Sequence, residues 1–442
     1  MPHKLTVFGT GYLGATHAVC MAELGYDVLG IDVDEAKVAK LTAGEVPFYE
    51  PGLEPLLRKN VESGRLRFST SYTEAAEFGD VHFVCVGTPQ REDSLAADMR
   101  FVDSVIDNLG PHLAKDAYII GKSTVPVGTA ERLAARLSEM TPAGSTVELA
   151  WNPEFLREGF AVEDTLTPDR LVFGVQAGGR AEQVLREVYA PVIDIPTPVV
   201  VTDLATAQLV KVAANAFLAT KISFINAMAE VCETVNADVK KLSEALSYDT
   251  RIGGRFLHAG LGFGGGCLPK DIRAFMARAE ELGVESALSF LREIDAINLR
   301  RRQRMVDLAM EHSGGSFDGK KVGVLGAAFK PNSDDIRDSP ALDVASTIQG
   351  LGGSVTVYDP QANANARRKH PELSYADSAV EAARDAHVVL HLTEWREFRD
   401  MDPSVLSEVV ASKQIVDGRN ALDPERWIAA GWHYRALGRP YR

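Results

Sequence analysis

The stretch Lys4-Leu5-Thr6-Val7-Phe8-Gly9-Thr10-Gly11-Tyr12-Leu13-Gly14 is a short apolar run that breaks into a Gly-x-Gly-x-x-Gly turn. An apolar, helix-compatible segment follows as far as Gly25, and then a second apolar run, Asp27-Val28-Leu29-Gly30-Ile31, stops at Asp32. Strand, glycine turn, helix, second strand and terminal acid make one βαβ unit. The acid, 18 residues after the last glycine, is what makes the pattern specific. Gly9 makes the turn, Gly11 lets a pyrophosphate approach the backbone, and Gly14 lets helix and strand pack closely, while the helix N-terminus turns free N–H groups to the phosphates. Asp32 is placed to accept from the hydroxyls of an adenosine ribose. With Asp34 and Glu35 it repels a 2′-phosphate, so NAD is expected over NADP.

The alternation continues. Apolar runs at Val81–Val86, Tyr118–Ile120 and Thr146–Ala150 end respectively in Gly87-Thr88-Pro89, in Gly121-Lys122-Ser123-Thr124-Val125-Pro126 and in Trp151-Asn152-Pro153-Glu154-Phe155-Leu156-Arg157-Glu158-Gly159. In an open parallel sheet these turns share the edge where ligands bind. Glu154 and Glu158 are four apart, and one helical turn is expected to stack them on one face. From Leu204 to Asn236 there is neither glycine nor proline, with Thr202 or Asp203 as N-cap. A helix of that length, about 50 Å, is expected to connect two halves and to offer a surface to a second subunit. Lys211 and Asn215 fall on one face of it, in an alanine-rich stretch, and are expected to point into a site.

Beyond Ser313-Gly314-Gly315-Ser316 the pattern restarts, with strands at Lys321–Leu325, Ser354–Tyr358, His387–Leu392 and Gln414–Asp417 and a helix from Pro340. The opening turn, Gly326-Ala327-Ala328-Phe329-Lys330, has no close-packing glycines, so a second dinucleotide is not expected. Lys330, Arg337 and Arg419 lie at or after strand ends and suit a nucleotide diphosphate. The expected fold is α/β, two doubly wound Rossmann-like domains joined by a long central helix. The boundaries are 1–200 for the NAD-binding domain, 201–312 for a helical domain and 313–442 for the second Rossmann-like domain.

Bulk properties narrow the partners. The 442 residues are 45% apolar and 24% charged, and a net charge of -14 argues against nucleic acid or an anionic membrane. No uncharged apolar run approaches the roughly 20 residues that span a bilayer, and a cytoplasmic protein without a signal peptide is expected. Cys20, Cys85, Cys232 and Cys267 lie far apart with no CxxC pair, so neither a zinc site nor a disulfide framework is expected. Cys267 stands out. It sits in Gly262-Phe263-Gly264-Gly265-Gly266-Cys267-Leu268-Pro269-Lys270-Asp271, an accessible thiol after three glycines and beside a cation, the setting that favours thiolate. A nicotinamide implies hydride transfer, and Lys211 and Asn215 suit stabilisation of an alkoxide. A nucleophilic cysteine becomes useful if oxidation passes the aldehyde: a thiohemiacetal gives up a second hydride to become a thioester, which water cleaves. Nicotinamide and cysteine together point to a four-electron oxidation of an alcohol to a carboxylate.

With these residues in view the chain resembles the nucleotide-sugar dehydrogenases, the UDP-glucose/GDP-mannose dehydrogenase family. The likeness runs nearly end to end through the dinucleotide turn, Ser-Thr-Val-Pro at 123–126, Asn-Pro-Glu-Phe-Leu at 152–156 with Glu158-Gly159, Lys211 and Asn215, Arg251-Ile252-Gly253, the cysteine loop and Phe329-Lys330. The resemblance implies that Cys267 is the nucleophile, that Lys211 steadies the C6 oxyanion with Asn215 positioning the substrate, that Asp271 and Thr124 hold a water or proton network, and that Glu154 assists thioester hydrolysis as acid or base. It implies NAD contacts from Gly9, Gly11, Tyr12, Leu13, Gly14, Asp32, Lys37, Thr88, Pro89, Thr124, Glu158, Lys270 and Arg337. It implies substrate contacts from Glu154, Phe155, Leu156, Lys211, Asn215, His258, Phe263, Gly264, Phe329, Lys330 and Arg419. Arg251 would reach the site of a partner subunit, so a homodimer is implied; no metal is.

One departure is visible. The family loop usually reads Gly-Gly-Ser-Cys, whereas Gly266 precedes the cysteine here. Residues 248–263 resemble the UDP-glucose branch more than the GDP-mannose one, which makes UDP-glucose the expected substrate. Three other readings compete: a relative acting on GDP-mannose or UDP-N-acetylmannosamine, a two-electron hydroxyacid dehydrogenase, and a silent NAD-binding regulator. The hydroxyacid enzyme has no use for Cys267 or the second α/β domain, and a silent module need not keep Cys267, Lys211 and Glu154 together.

Overall fold

The apolar run at the start folds as β1 (Lys4–Phe8) and takes the middle of a parallel sheet because both of its faces are buried. Leu5 and Val7 enter one core cluster and Phe8 the other, the period-2 alternation of a strand covered on both sides. The computed structural model describes residues 3–440. They divide into two units, one made of the chain up to Ala214 with Glu280–Leu282, the other of Asn215–Ala279 and the chain from Gly283 onward.

In the first unit β1 is joined by β2 (Asp27–Ile31), β3 (Leu66–Ser69), β4 (Val81–Val84), β5 (Ala117–Gly121), β6 (Val147–Trp151), β7 (Leu171–Gly174) and β8 (Val199–Thr202). Their order is β3-β2-β1-β4-β5-β6-β7-β8, and the pairs are parallel except β6 with β7, which meet at the single pair Trp151 and Gly174. The first six strands have the doubly wound order of a dinucleotide fold, whose ligand crevice lies between β1 and β4 at their carboxyl ends. In the second unit β9 (Lys321–Leu325), β10 (Ser354–Tyr358), β11 (Ser374–Tyr375), β12 (Val388–His391), β13 (Gln414–Asp417) and β14 (His433–Ala436) repeat that order, β11-β10-β9-β12-β13-β14, all parallel.

The glycine-free segment forms one helix, Leu204–Val235, of 32 residues. The Asp203 carboxylate accepts from the Thr206 N–H at 2.8 Å, which makes Asp203 rather than Thr202 the cap, and Asn236 ends the helix with a left-handed φ of 57°. Ala207 belongs to a core cluster of the first unit. Ala216 and Ala219 pack with Phe263, Ile272 and Leu291, and Ile225 and Ala229 with Val239 and Leu257, in the second. By length and composition this helix could cross a bilayer. Its buried polar side chains argue for a core helix instead: Ser223 donates to the Ile294 carbonyl and the Asn226 side chain accepts from the Gly260 N–H, both at 2.8 Å.

The expected helical turn joining Glu154 to Glu158 is absent: residues 152–157 have no regular structure. Pro153 biases Asn152 towards an extended backbone, and the Glu154 carboxylate bonds the N–H groups of Phe155 and Leu156 at 2.8 and 3.0 Å, competing with a helix for those donors.

Candidate active site

At the end of β1 the three glycines meet three different demands. A Cβ on Gly14 would lie 1.7 Å from the Gly9 carbonyl oxygen, so helix Tyr12–Glu23 can approach the turn this closely only with glycine there. A Cβ on Gly11 would meet nothing within 4 Å: the backbone is bare towards open space. The helix has no capping side chain and no acid in its first turn, so its N–H groups suit an anion. Asp32 accepts from the Thr10 N–H at 2.8 Å, from the Thr10 hydroxyl at 3.0 Å and from Lys37 Nζ at 2.8 Å. Burial opposes its charge, but the bonds from Lys37 and the backbone outweigh it and hold the carboxyl below its ordinary range. These residues fit a dinucleotide. When bound, NAD supplies a hydride acceptor. Leu13 is half-buried beside Tyr12.

Glu50, absent from the sequence reading, ties this turn to the Glu158 segment. Its buried carboxylate accepts from the Tyr12 hydroxyl, from the Gly159 N–H at 2.7 Å and from the Ala161 N–H at 2.8 Å. Glu158 itself is buried. The Thr88 hydroxyl donates to the Thr124 carbonyl at 2.7 Å, bringing the ends of β4 and β5 together, while Pro89 is exposed.

Beside them lies a buried polar cluster that the sequence hid. Lys122, 3% exposed, donates to Asn152 Oδ1 at 3.0 Å and to the Tyr189 hydroxyl at 3.2 Å, and pairs with Glu154 Oε2 at 3.0 Å. Burial works against the ammonium, yet Glu154 and its other neighbours hold its pKa above the ordinary value. Removing one partner of such a pair costs about 3–5 kcal/mol. Lys211 Nζ lies 5.5 Å from the ring centroid of Phe155, and Leu156 is half-buried.

In the second unit the cysteines separate by environment. Among the described residues Cys267 is the exposed thiol and the other three are buried. Burial pushes the thiols of Cys20 and Cys85 up to about 12, which leaves them inert. Cys267 precedes helix Leu268–Glu281, and its carbonyl accepts from the Asp271 N–H at 2.9 Å. The thiol thus sits at the positive end of a helix, a second influence towards thiolate. Behind it, Asp271, 1% exposed, accepts from Asn215 Nδ2 at 2.6 Å and from Lys270 Nζ at 2.5 Å. Lys270 is therefore committed to Asp271, an arrangement the sequence reading had not placed.

The loop before Cys267 is clamped on several sides. Asn298 accepts from the Phe263 N–H at 2.8 Å and donates to its carbonyl at 2.9 Å. A Cβ on Gly264 would meet the Asp338 carbonyl oxygen at 2.2 Å, and one on Gly266 the Arg337 guanidinium carbon at 2.2 Å. Gly266 is thus not merely a missing serine, because Arg337 fills the space a side chain would take. Arg337 is fixed by a fork onto Asp335, and its carbonyl accepts from the Gly265 N–H at 2.8 Å. Arg419 directs its guanidinium at three carbonyls, of Leu392 at 2.7 Å, Gly262 at 2.9 Å and Phe329 at 3.1 Å, clasping the cysteine loop to the Phe329 turn. Phe329 and Lys330 are half-buried, with Lys330 Nζ 5.2 Å from the Phe329 ring. His258 is exposed, and Arg251 is exposed and forked onto Asp249.

Comparison with known proteins matches three successive segments of the chain. Residues 3–193 match the NAD binding domain of the UDP-glucose/GDP-mannose dehydrogenase family, residues 205–300 its central domain and residues 323–424 its UDP binding domain. A UDP-glucose 6-dehydrogenase of Rhizobium meliloti is 41% identical over 438 residues, 99% of this chain and 100% of that one. The structure of a UDP-glucose dehydrogenase from Pyrobaculum islandicum superposes with a TM-score of 0.90 at 38% identity, covering 99% of this chain and 98% of the other. A UDP-D-ManNAc dehydrogenase structure from Pyrococcus horikoshii gives 0.85 at 26% identity, covering 99% of both chains. With the dinucleotide turn, the exposed cysteine and matches along nearly its whole length, the chain belongs to the UDP-glucose/GDP-mannose dehydrogenase family.

Proposed function

We propose that the protein is a cytoplasmic, NAD-dependent oxidoreductase that converts UDP-glucose to UDP-glucuronate in two hydride-transfer steps. The observation that carries the reading is the placement of Cys267: an exposed thiol at a helix N-terminus, backed by an Asn215–Asp271–Lys270 network around the buried Asp271 carboxylate, in a chain whose first unit carries a dinucleotide turn. Lys211 steadies the C6 oxyanion and Asn215 orients the sugar, while Asp271 and Thr124 hold the water through which the C6 proton leaves. Cys267 adds to the aldehyde, and loss of a second hydride gives the thioester. Glu154 assists its hydrolysis.

Gly9, Gly11, Tyr12, Leu13 and Gly14 hold the dinucleotide phosphates, Asp32 and Lys37 the ribose side, and Thr88, Pro89, Glu158, Lys270 and Arg337 the remainder. Phe155, Leu156, His258, Phe263, Gly264, Phe329 and Lys330 hold the nucleotide sugar, with Arg419 keeping the loops that frame it together. The active form is a homodimer in which Arg251 serves a partner subunit. A stripe on the long helix supports this: Phe217, Phe224, Val231 and Val235, at 66, 47, 53 and 65% exposure, fall within one narrow face.

Turnover of UDP-glucose, GDP-mannose and UDP-N-acetylmannosamine, with Cys267→Ala beside the intact enzyme, tests the reading. UDP-glucose as the preferred substrate and loss of at least about 10³-fold in the variant are expected. Preference for either other sugar would reassign the substrate, and an active Cys267→Ala would end the thioester route.

A further inference from the structure

Gly264, Gly265 and Gly266 run in a row before Cys267, and the dipeptide Arg337-Asp338 meets each of them in a different way. A Cβ on Gly264 would lie 2.2 Å from the Asp338 carbonyl oxygen. The Gly265 N–H donates to the Arg337 carbonyl at 2.8 Å, and a Cβ on Gly266 would lie 2.2 Å from the guanidinium carbon of Arg337. Where Arg337 sits and where the cysteine loop runs are therefore set together.

We infer that Asp338 is a positioning residue that holds Arg337 on the cysteine loop, so that one latch places both the cofactor-side arginine and the nucleophilic thiol. This rests on the proposed roles of Arg337 towards NAD and of Cys267 as the nucleophile. Two properties of an aspartate are used. Its backbone is left-handed, with φ of 45°, a conformation that Asp and Asn tolerate better than other side chains. The chain passes through it from the loop of Arg337 into helix Pro340–Gly350, which Ser339 caps. Its carboxylate is gripped from two helices. Arg302, buried on helix Phe290–His312, pairs with Oδ1 through Nη1 at 2.8 Å. Arg273, on helix Leu268–Glu281, reaches Oδ2 through Nη1 at 3.5 Å and is itself forked onto Asp295 at 3.0 and 3.1 Å. The ladder Asp295–Arg273–Asp338–Arg302 thus joins the turn packed on the glycines to the helix that begins directly after the thiol.

The place where these charges converge argues against a brace for stability alone. Asp338 directly follows the arginine that covers Gly266, and Arg302 also approaches the Phe263 and Asp338 carbonyls with Nη2, at 3.4 and 3.5 Å. One buried guanidinium therefore addresses both sides of the latch, the residue before Gly264 and the residue packed on it. Without the carboxylate, Arg337 is free to lift from Gly266 and to withdraw its carbonyl from Gly265. A run of three glycines released in this way gains more backbone freedom than any other sequence would. Cofactor affinity and thiol presentation then change together.

The experiment compares the intact enzyme with Asp338→Gly, Asp338→Asn, Arg302→Met, Arg337→Ala and the double variant Asp338→Gly/Arg337→Ala. It reads KM for NAD and the rate at which iodoacetamide alkylates Cys267, the exposed thiol, in proteins shown by a urea melt to be folded. Asp338→Gly keeps the left-handed backbone and removes the carboxylate. It is expected to raise KM for NAD about tenfold and to change the alkylation rate at least about threefold. Arg302→Met should do the same from the other end of the pair. Asp338→Asn, which keeps the backbone preference and an acceptor for Arg302, should stay within about twofold of the intact enzyme on both readouts. Because Asp338 acts through Arg337, the double variant should have a KM for NAD no more than about twofold above that of Arg337→Ala. Losses that multiply in the double variant would overturn the inference, and so would a folded Asp338→Gly in which either readout is unmoved. An Arg337→Ala enzyme with an unchanged KM for NAD would overturn it as well, by removing the cofactor role of Arg337. A Cys267→Ala enzyme that still forms UDP-glucuronate would instead refute the reading on which the inference rests.

Discussion

The second sheet shares the order of the first sheet's first six strands but not its opening turn, and the contrast shows how one topology comes to hold different ligands. After β1 the chain enters a helix at once through Gly9 to Gly14, leaving bare backbone at Gly11 and an acid, Asp32, at the end of β2. After β9 the next helix starts only at Pro340, and the intervening loop carries Phe329, Lys330 and Arg337. The acid matching Asp32 is still present as Asp359, but it is consumed. It accepts from the Ala327 and Ala328 N–H groups at 2.7 and 2.9 Å, from the Trp395 indole at 3.0 Å, and on its other oxygen from Gln361 and Ala362. Asp32, by contrast, gives one oxygen to the Thr10 N–H, the Thr10 hydroxyl and a half-buried Lys37, while its other oxygen has a single backbone partner, Asp34 N–H at 3.1 Å. An acid with one lightly loaded oxygen can serve a ribose; one filled on both oxygens holds a loop in shape.

Substitutions can break this contrast. Gly14→Val has the largest expected effect: with a Cβ 1.7 Å from the Gly9 oxygen the turn cannot keep its shape, and NADH binding read by fluorescence should weaken by more than about 100-fold, with roughly 1–3 kcal/mol lost from stability. Asp359→Ala should do the opposite, costing about 3 kcal/mol or more in a urea melt by stranding several buried donors, while NADH affinity stays within about twofold. Asp32→Ala should weaken NADH by about 10- to 100-fold and narrow its advantage over NADPH, with a smaller stability loss of about 1–2 kcal/mol as the buried Thr10 donors lose their acceptor. If Asp359→Ala and Asp32→Ala weaken NADH equally, the contrast fails. Gly266→Ser should be the mildest. The atoms in its way are the exposed end of Arg337, whose fork onto Asp335 must shift, so stability should fall by no more than about 1 kcal/mol, with a change in KM for NAD about threefold as Arg337 is displaced.

What the sequence disclosed and what it withheld follow from the range of the interactions. The βαβ start, the second alternation and the long helix were legible because periodicity, glycine placement and capping are local. Five short strands, β3, β7, β8, β11 and β14, were not. They run two to four residues, and β7 meets β6 at a single pair, so no local pattern announces them. Cys267 was legible from its glycines. Lys122 was not: a lone lysine after an apolar strand reads as one reaching solvent, and its partners Asn152 and Tyr189 lie 30 and 67 residues away. The helical turn expected at Glu154 failed because that side chain bonds its own backbone instead.

The central claim is that one sugar gives up four electrons through Cys267. The most direct test is the number of NADH formed per UDP-glucose consumed when the sugar is limiting. The account predicts two, with no second NADH from Cys267→Ala, because only the step past the aldehyde needs the thiol. One NADH per sugar, at a rate indifferent to the cysteine, would contradict it.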